Sequence, residues 1–396
     1  MTTRVTNWFA LLAIAALPLT GSAADPTLRF LEARVQQDPL DFTAHNRLAA
    51  NYIKLMRETG DLTYLDRAAA SARASLAAVP AAQNVGGLTA LAVTEFESHH
   101  FTEALRHARQ AYATDPRDTL ALAVVGDAQL ELGDYADAGK TYDRLAESDL
   151  SPPVLARQAR LAEIKGDNQK AIELLDRAGA TVWFRVRLGE LYFRTGNLPK
   201  AEAQYQAALK LQPDSYLALE HLAELRAAQT RYDEAVALYQ KVIARVPRAE
   251  FFQALGDLYV FMGKPAETKP WHDRALGAFL QSVEQGTAHY YHHLASFYCD
   301  ARENPAEALK WARKDIEVRH GVYAYDSLAW AFYKNGDFVR AAEAMKLALA
   351  VGTQDAHLFY HAGLIFSRAG DLEQGRVLLK QTVIVNPYYN AFHVHR

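Results

Sequence analysis

TVWFRVRLGELYFRTGNLPKAEAQYQAALKLQPDSYLALEHLAELRAAQTRYDEAVALYQKVIARVP, residues 181–247, writes out one side-chain pattern and then repeats it. In the first copy Leu188, Gly189 and Tyr192 are followed by Ala201, Tyr205, Ala208 and Pro213. In the second copy Ala235, Tyr239, Val242 and Pro247 take the later positions. The offset from Ala201 to Ala235 and from Pro213 to Pro247 is 34 residues, a period of stacked supersecondary units rather than of one globular core. Gly189 and Ala201 carry almost no side chain, so two helices can approach to the short end of the roughly 8–10 Å range of packed helices, with Tyr192 and Tyr205 filling the flanks. Between them Gly196 supplies a φ > 0 helix stop and Asn197 a cap for the next helix.

The same punctuation recurs as Gly60-Asp61, Gly133-Asp134, Gly166-Asp167, Gly336-Asp337 and Gly370-Asp371. This pattern resembles the tetratricopeptide repeat (TPR). The resemblance implies an all-α, right-handed superhelical solenoid of about ten helix-turn-helix hairpins. It also implies that the first helix of each hairpin lines a concave surface.

Outward from that stretch the phase holds in both directions. Ala92, Ala104 and Ala111, then Gly126, Ala138 and Tyr142, mark earlier hairpins; Gly256 and Ala275, then Ala308, Ala341 and Gly363, mark later ones. The hairpin near residues 41–80 carries extra residues, which are expected to lengthen its first helix. Residues 25–40 read as a lone N-terminal helix, 41–390 as the solenoid and 391–396 as a tail. Pro265 and Pro270 lie in one second helix, so a bend is expected near 265–288.

The N-terminus reads differently. Arg4 precedes an apolar run from Trp8 to Leu19, then small residues up to Ala24 and a charge at Asp25. That is the make-up of a secretory signal peptide over residues 1–24, cleaved after Ala23 or Ala24, and it is shorter than the about 20 apolar residues of a membrane span. A periplasmic or secreted protein with no integral span after cleavage is expected, and a place in a membrane-associated complex is compatible with it. The net charge of −3 argues against a nucleic-acid binder. Cys299 is the only cysteine, which excludes internal disulfides.

Nucleotide loops, the Gly-x-Ser-x-Gly elbow and the His-Glu-x-x-His motif are absent from the sequence, so no enzyme activity and no cofactor are expected. The positions that the resemblance assigns to the concave face are Glu190, Glu220, Glu224, Glu250 and Asp257 in the middle units. Further on they are His289, His292, Tyr323, Asp326, Trp330, Tyr333, His357 and Tyr360. The five carboxylates, with few concave basic residues read beside them, favour a protein or peptide partner with a basic segment. The aromatic stretch offers anchors, Trp330 above all, with Asp326 holding a cation over its face. The family's carboxylate clamp does not carry over, because those positions here are mostly acidic.

The sequence thus reads as a peptide-binding scaffold or assembly factor. The alternative is an accessory of metal handling or transport built on histidines. His289, His292 and His293 read as lying on one helix and His357 with His361 on another, each four-residue pair sharing a face. Two ligands make a poor site, and the pairs stand two repeats, about 20 Å, apart at about 10 Å per layer, so no metal is expected.

Overall fold

The computed structural model describes residues 26–148 and 150–389; the expected signal peptide and C-terminal tail lie outside the described residues. A lone helix, α1 (Pro26–Gln37), precedes ten hairpins. The first five are α2 (Phe42–Thr59) with α3 (Thr63–Ala78), α4 (Val85–Glu97) with α5 (Phe101–Thr114), α6 (Thr119–Leu132) with α7 (Tyr135–Ser148), α8 (Pro152–Ile164) with α9 (Asn168–Ala178), and α10 (Val182–Arg194) with α11 (Leu198–Leu211). The next three are α12 (Tyr216–Ala228) with α13 (Tyr232–Arg245), α14 (Ala249–Phe261) with α15 (Pro265–Gln285), and α16 (Tyr291–Ser296) with α17 (Pro305–Val318). The last two are α18 (Val322–Lys334) with α19 (Phe338–Leu349), and α20 (Ala356–Arg368) with α21 (Leu372–Val385). No strand occurs among the described residues.

Four hairpins close on a glycine met sixteen residues later by a larger side chain. A Cβ on Gly126 would lie 2.4 Å from the Tyr142 ring, on Gly189 2.4 Å from Tyr205, on Gly256 2.2 Å from His272, and on Gly363 2.6 Å from Leu379. Tyr142 and Tyr205 are fully buried there. Glycine is required because the partner side chain already fills the volume that a methyl group would take. The turns are capped as their composition dictates: Asp167, Asn197, Asp337 and Asp371 accept from the backbone N–H groups of Lys170, Lys200, Arg340 and Gln374.

Two local readings are refined. The extra residues of the first hairpin make α2 18 residues long, and α15 runs through Pro270 without ending. The helix carrying the 290s begins only at Tyr291 and passes into a π-helical turn, Phe297–Ala301. His289 therefore does not share a helix with His292 and His293. It stands in the preceding loop, where its backbone N–H donates to Ser98 O.

That contact belongs to a series that winds the solenoid onto itself. His320 N donates to Leu132 O (3.0 Å), Thr353 Oγ1 donates to Ile164 O, and Asn386 Nδ2 donates to Phe193 O (3.2 Å). Val322 N donates to Tyr135 Oη and Asn168 Nδ2 to Gln354 O. The partners stand 186 to 193 residues apart, or about five and a half repeats at the 34-residue period. Four of the acceptors, the carbonyls of Ser98, Leu132, Ile164 and Phe193, lie at or just past the C-terminal ends of first helices, groups a helix cannot satisfy internally. The following turn of the superhelix satisfies them, so successive turns lie in contact.

Candidate functional site

Because the turns touch, the face lined by the first helices is not an open trough. It bounds a cavity of about 1010 Å³ inside the coil, with walls contributed from α2 to α20 and by Asn386 and Tyr389.

Seven arginines line it: Arg57, Arg157, Arg160, Arg187, Arg194, Arg248 and Arg319. Seven carboxylates face them: Glu97, Asp127, Glu131, Glu163, Glu190, Glu224 and Asp355. The expectation of an acidic concavity with few basic residues therefore does not hold. The arginines stand on the same helices beside the acidic positions that the repeat pattern assigns to the concave face. On α8 Arg157, Arg160 and Glu163 follow each other at spacings of three, and on α10 Arg187, Glu190 and Arg194 at three and four, so each set shares one helix face.

The centre of this network is Arg194. It donates to Glu163 (2.6 Å) on α8, to Tyr323 Oη (2.7 Å) on α18 and to Asp355 beside α20, so one side chain ties one turn of the coil to the next. Burial on its own would raise the Glu163 carboxyl, but Arg160, Arg194 and Arg187 outweigh it and hold the group down at about 2. Asp355, likewise penalised by burial, is held at about 2 chiefly by Arg194. Glu190 is lowered by Arg187, His221 and Arg194 against its own desolvation. Around the rest of the wall Arg157 grips Asp127 through three hydrogen bonds of 2.8 to 3.0 Å. Aromatic surface comes from Phe96, Trp183, Tyr216, Tyr323 and Tyr389, with Trp183 48% exposed.

Of the residues singled out from the sequence, Glu190, Glu224, His292, Tyr323 and His357 line this cavity. Glu220 is buried beside His221, which it and Glu224 flank at 3.4 Å each; desolvation lowers the His221 pKa, but the surrounding carboxylates raise it more, for a net rise. Glu250 pairs with Arg248 (2.8 Å) and accepts from Tyr290 Oη. Asp257 turns into its own hairpin and bonds His272 at 2.8 Å. Tyr360 packs on Tyr389.

Trp330 does not offer an open face. It is 7% exposed, stacked between Tyr333 (4.6 Å) and His361 (4.0 Å), and its indole N–H donates to Asp300. Asp326 below it is engaged by His361 Nδ1 at 3.0 Å rather than being left for a partner's cation. The anchor missed in the sequence is Trp183, near the start of α10 in the very stretch that decides the fold.

Family models for the tetratricopeptide repeat match residues 89–153 and 186–250, and a second such model matches 287–323. These segments are tetratricopeptide repeats, and the hairpin architecture continues on either side of them. Among curated proteins the chain is 29% identical over 160 residues to tetratricopeptide repeat protein 21A of Mus musculus, covering 38% of this chain and 12% of that one. It is 24% identical over 199 residues to tetratricopeptide repeat protein 8 of Caenorhabditis elegans, covering 48% and 37%. The matched stretches are thus well under half the length of either relative. Among solved structures, human IFIT1 superposes with a TM-score of 0.47 at 13% identity over 91% of this chain and 94% of that one. Yeast Tom70 does so with 0.39 at 11% identity over 93% and 89%. No helix among the described residues is long and apolar enough to cross a membrane.

Proposed function

We propose that the chain is a non-catalytic binding protein, exported to the periplasm or secreted, that takes an extended segment of a protein partner into the cavity inside its coil. The observation that carries this reading is the wall itself. It combines exposed aromatic surface at Trp183 with paired ions that can exchange one partner for a backbone or side-chain group of a guest. A folded domain does not fit a space of about 1010 Å³, whereas a short extended stretch does. The balance of arginines and carboxylates favours a guest of mixed polarity. The basic segment expected from the sequence is supported only by Glu190 and Glu224, the carboxylates of that set that line the cavity, and each already has an arginine or histidine neighbour.

The test is a photo-crosslinking amino acid placed at Trp183 inside the coil or at Val339 on its exposed outer surface. The reading expects adducts at 183 that map to one extended segment of one partner, with few at 339. Adducts at 339 alone, or at 183 from the surface of a folded domain, would reject it. The charge of the captured segment decides between a basic and a mixed guest. N-terminal sequencing of the mature chain checks export, with a start after Ala23 or Ala24 expected and a start at Met1 against it.

A further inference from the structure

Three Lewis-basic side chains meet where α18 packs on α20. His357 and His361 stand one turn apart on α20, and Asp326 comes from the equivalent helix of the preceding hairpin, 35 residues before His361. One ligating atom from each lies within 4.8 Å of the others. His361 Nδ1 is 3.0 Å from Asp326 Oδ1, and His357 Nε2 is 3.8 Å from Asp326 Oδ2. Asp326 and His361 are buried.

The supporting contacts orient this set. Tyr389 Oη lies 3.0 Å from His357 Nδ1, which turns Nε2 of that ring toward Asp326. Trp330 stacks on the His361 ring at 4.0 Å and 10°. Such contacts hold the ring planes of ligating histidines in place. The ring nitrogen of His361 that faces Asp326 is Nδ1, and Nε2 of the same ring is buried without a hydrogen-bond partner.

We infer that Asp326, His357 and His361 form a binding site for a borderline divalent transition-metal ion such as zinc or nickel, reached from the cavity past His357. Two imidazoles and one carboxylate are donors that these ions prefer, whereas magnesium and calcium take oxygen. Three protein ligands leave a coordination position open, and His357 lines the cavity. The two-ligand reading of the histidine pair was incomplete because Asp326 stands a full repeat away in sequence. Glu220, His221 and Glu224 form a second group of the same size. There, however, the imidazole is a single donor between two carboxylates and its pKa is raised, so the proton holds that position more strongly.

The test titrates the untagged full chain at neutral pH with zinc against a chromophoric chelator, and with cobalt followed by its visible absorption. The wild type is expected to bind one equivalent more tightly than about 10 μM and to develop cobalt bands. His357→Ala and Asp326→Asn, with helicity checked by circular dichroism, are each expected to weaken binding by about tenfold or more, and His221→Ala to leave it unchanged. Wild-type affinity weaker than about 10 μM, an absence of cobalt bands, equal binding in both ligand variants, or loss in His221→Ala alone would overturn the assignment. The first two of these need no variant to fold.

Discussion

Gly189 and Thr230 show what single residues decide in this fold. A Cβ on Gly189 would sit 2.4 Å from the buried Tyr205 ring, so Gly189→Ala must push α10 and α11 apart or tilt the tyrosine. A loss of about 1–3 kcal/mol is expected in denaturant melts, and a loss below about 0.5 kcal/mol would mean that the ring yields freely. Thr230 makes the opposite case. It stands 34 residues after Gly196, at the same turn position, with φ +60 where glycine is normal. A β-branched residue there carries about 1–2 kcal/mol of strain. Thr230→Gly is therefore expected to raise the denaturation midpoint, and an unchanged or lower midpoint would show that the strain is absorbed elsewhere. The glycine at 189 and the tyrosine at 205 were legible from their spacing alone. The arginines of α8 and α10 were not, because what they pair with is set by the neighbouring helix and the next turn of the coil rather than by their own sequence position.

At the scale of the element, the helix-ending turns fall into two groups that the sequence does not distinguish. Gly133, Gly166 and Gly196 all have positive φ, and each is also covered by the following turn of the coil. A Cβ would meet His320 O at 2.6 Å, Gly352 O at 2.3 Å and Pro387 Cδ at 2.7 Å respectively. Gly336 and Gly370 have positive φ, and among the described residues a Cβ there would meet nothing within 4 Å. The Gly-Asp signature reports only the local requirement. Gly336→Ala is expected to cost about 1–2 kcal/mol through backbone strain, with the shape of the molecule in solution unchanged. Gly166→Ala carries the same strain and also a clash with backbone, so it should add a larger scattering radius. Equal scattering radii for the two variants would count against contact between the turns. Hairpins and their order were readable from periodicity, whereas the pitch that brings residue 164 to residue 353 arises from small rotations summed over several repeats.

For the whole molecule, the contacts that wind the coil shut should be released by acid in two stages. At the contact of the α4–α5 turn with the loop before α16, burial pushes His99 below its ordinary value, His289 down to about 4 and His293 down to about 3. Groups with depressed folded pKa values contribute stability that is present above the unfolded value of about 6.5 and lost as pH falls through the folded one. At His99, Glu250 and Glu97 favour protonation and Arg319 opposes it; at His293, Glu250 favours it and His292, His99 and Arg319 oppose it; at His289, Glu103 favours it and His100 and His99 oppose it. This contact should loosen between about pH 6.5 and 4. Glu163 and Asp355 are held at about 2 by the arginines around them, so their contribution fades only as pH falls from about 4.5 towards 2. Scattering and circular dichroism across pH are expected to show expansion before loss of helix, and a single coincident transition would contradict two separate clasps.

Contact between adjacent turns of the coil converts a concave face into a cavity and limits what the cavity can hold. The direct measurement is a spin-label distance between Gln169, next to Asn168, and Gln354, whose backbone carbonyl accepts from the Asn168 side chain, in a chain whose buried Cys299 is replaced by alanine. One narrow distribution at the short end of the accessible range is expected at neutral pH, moving outward only in acid. A broad or long distribution at neutral pH would mean an open solenoid, and with it a surface for folded partners instead of a cavity for an extended one.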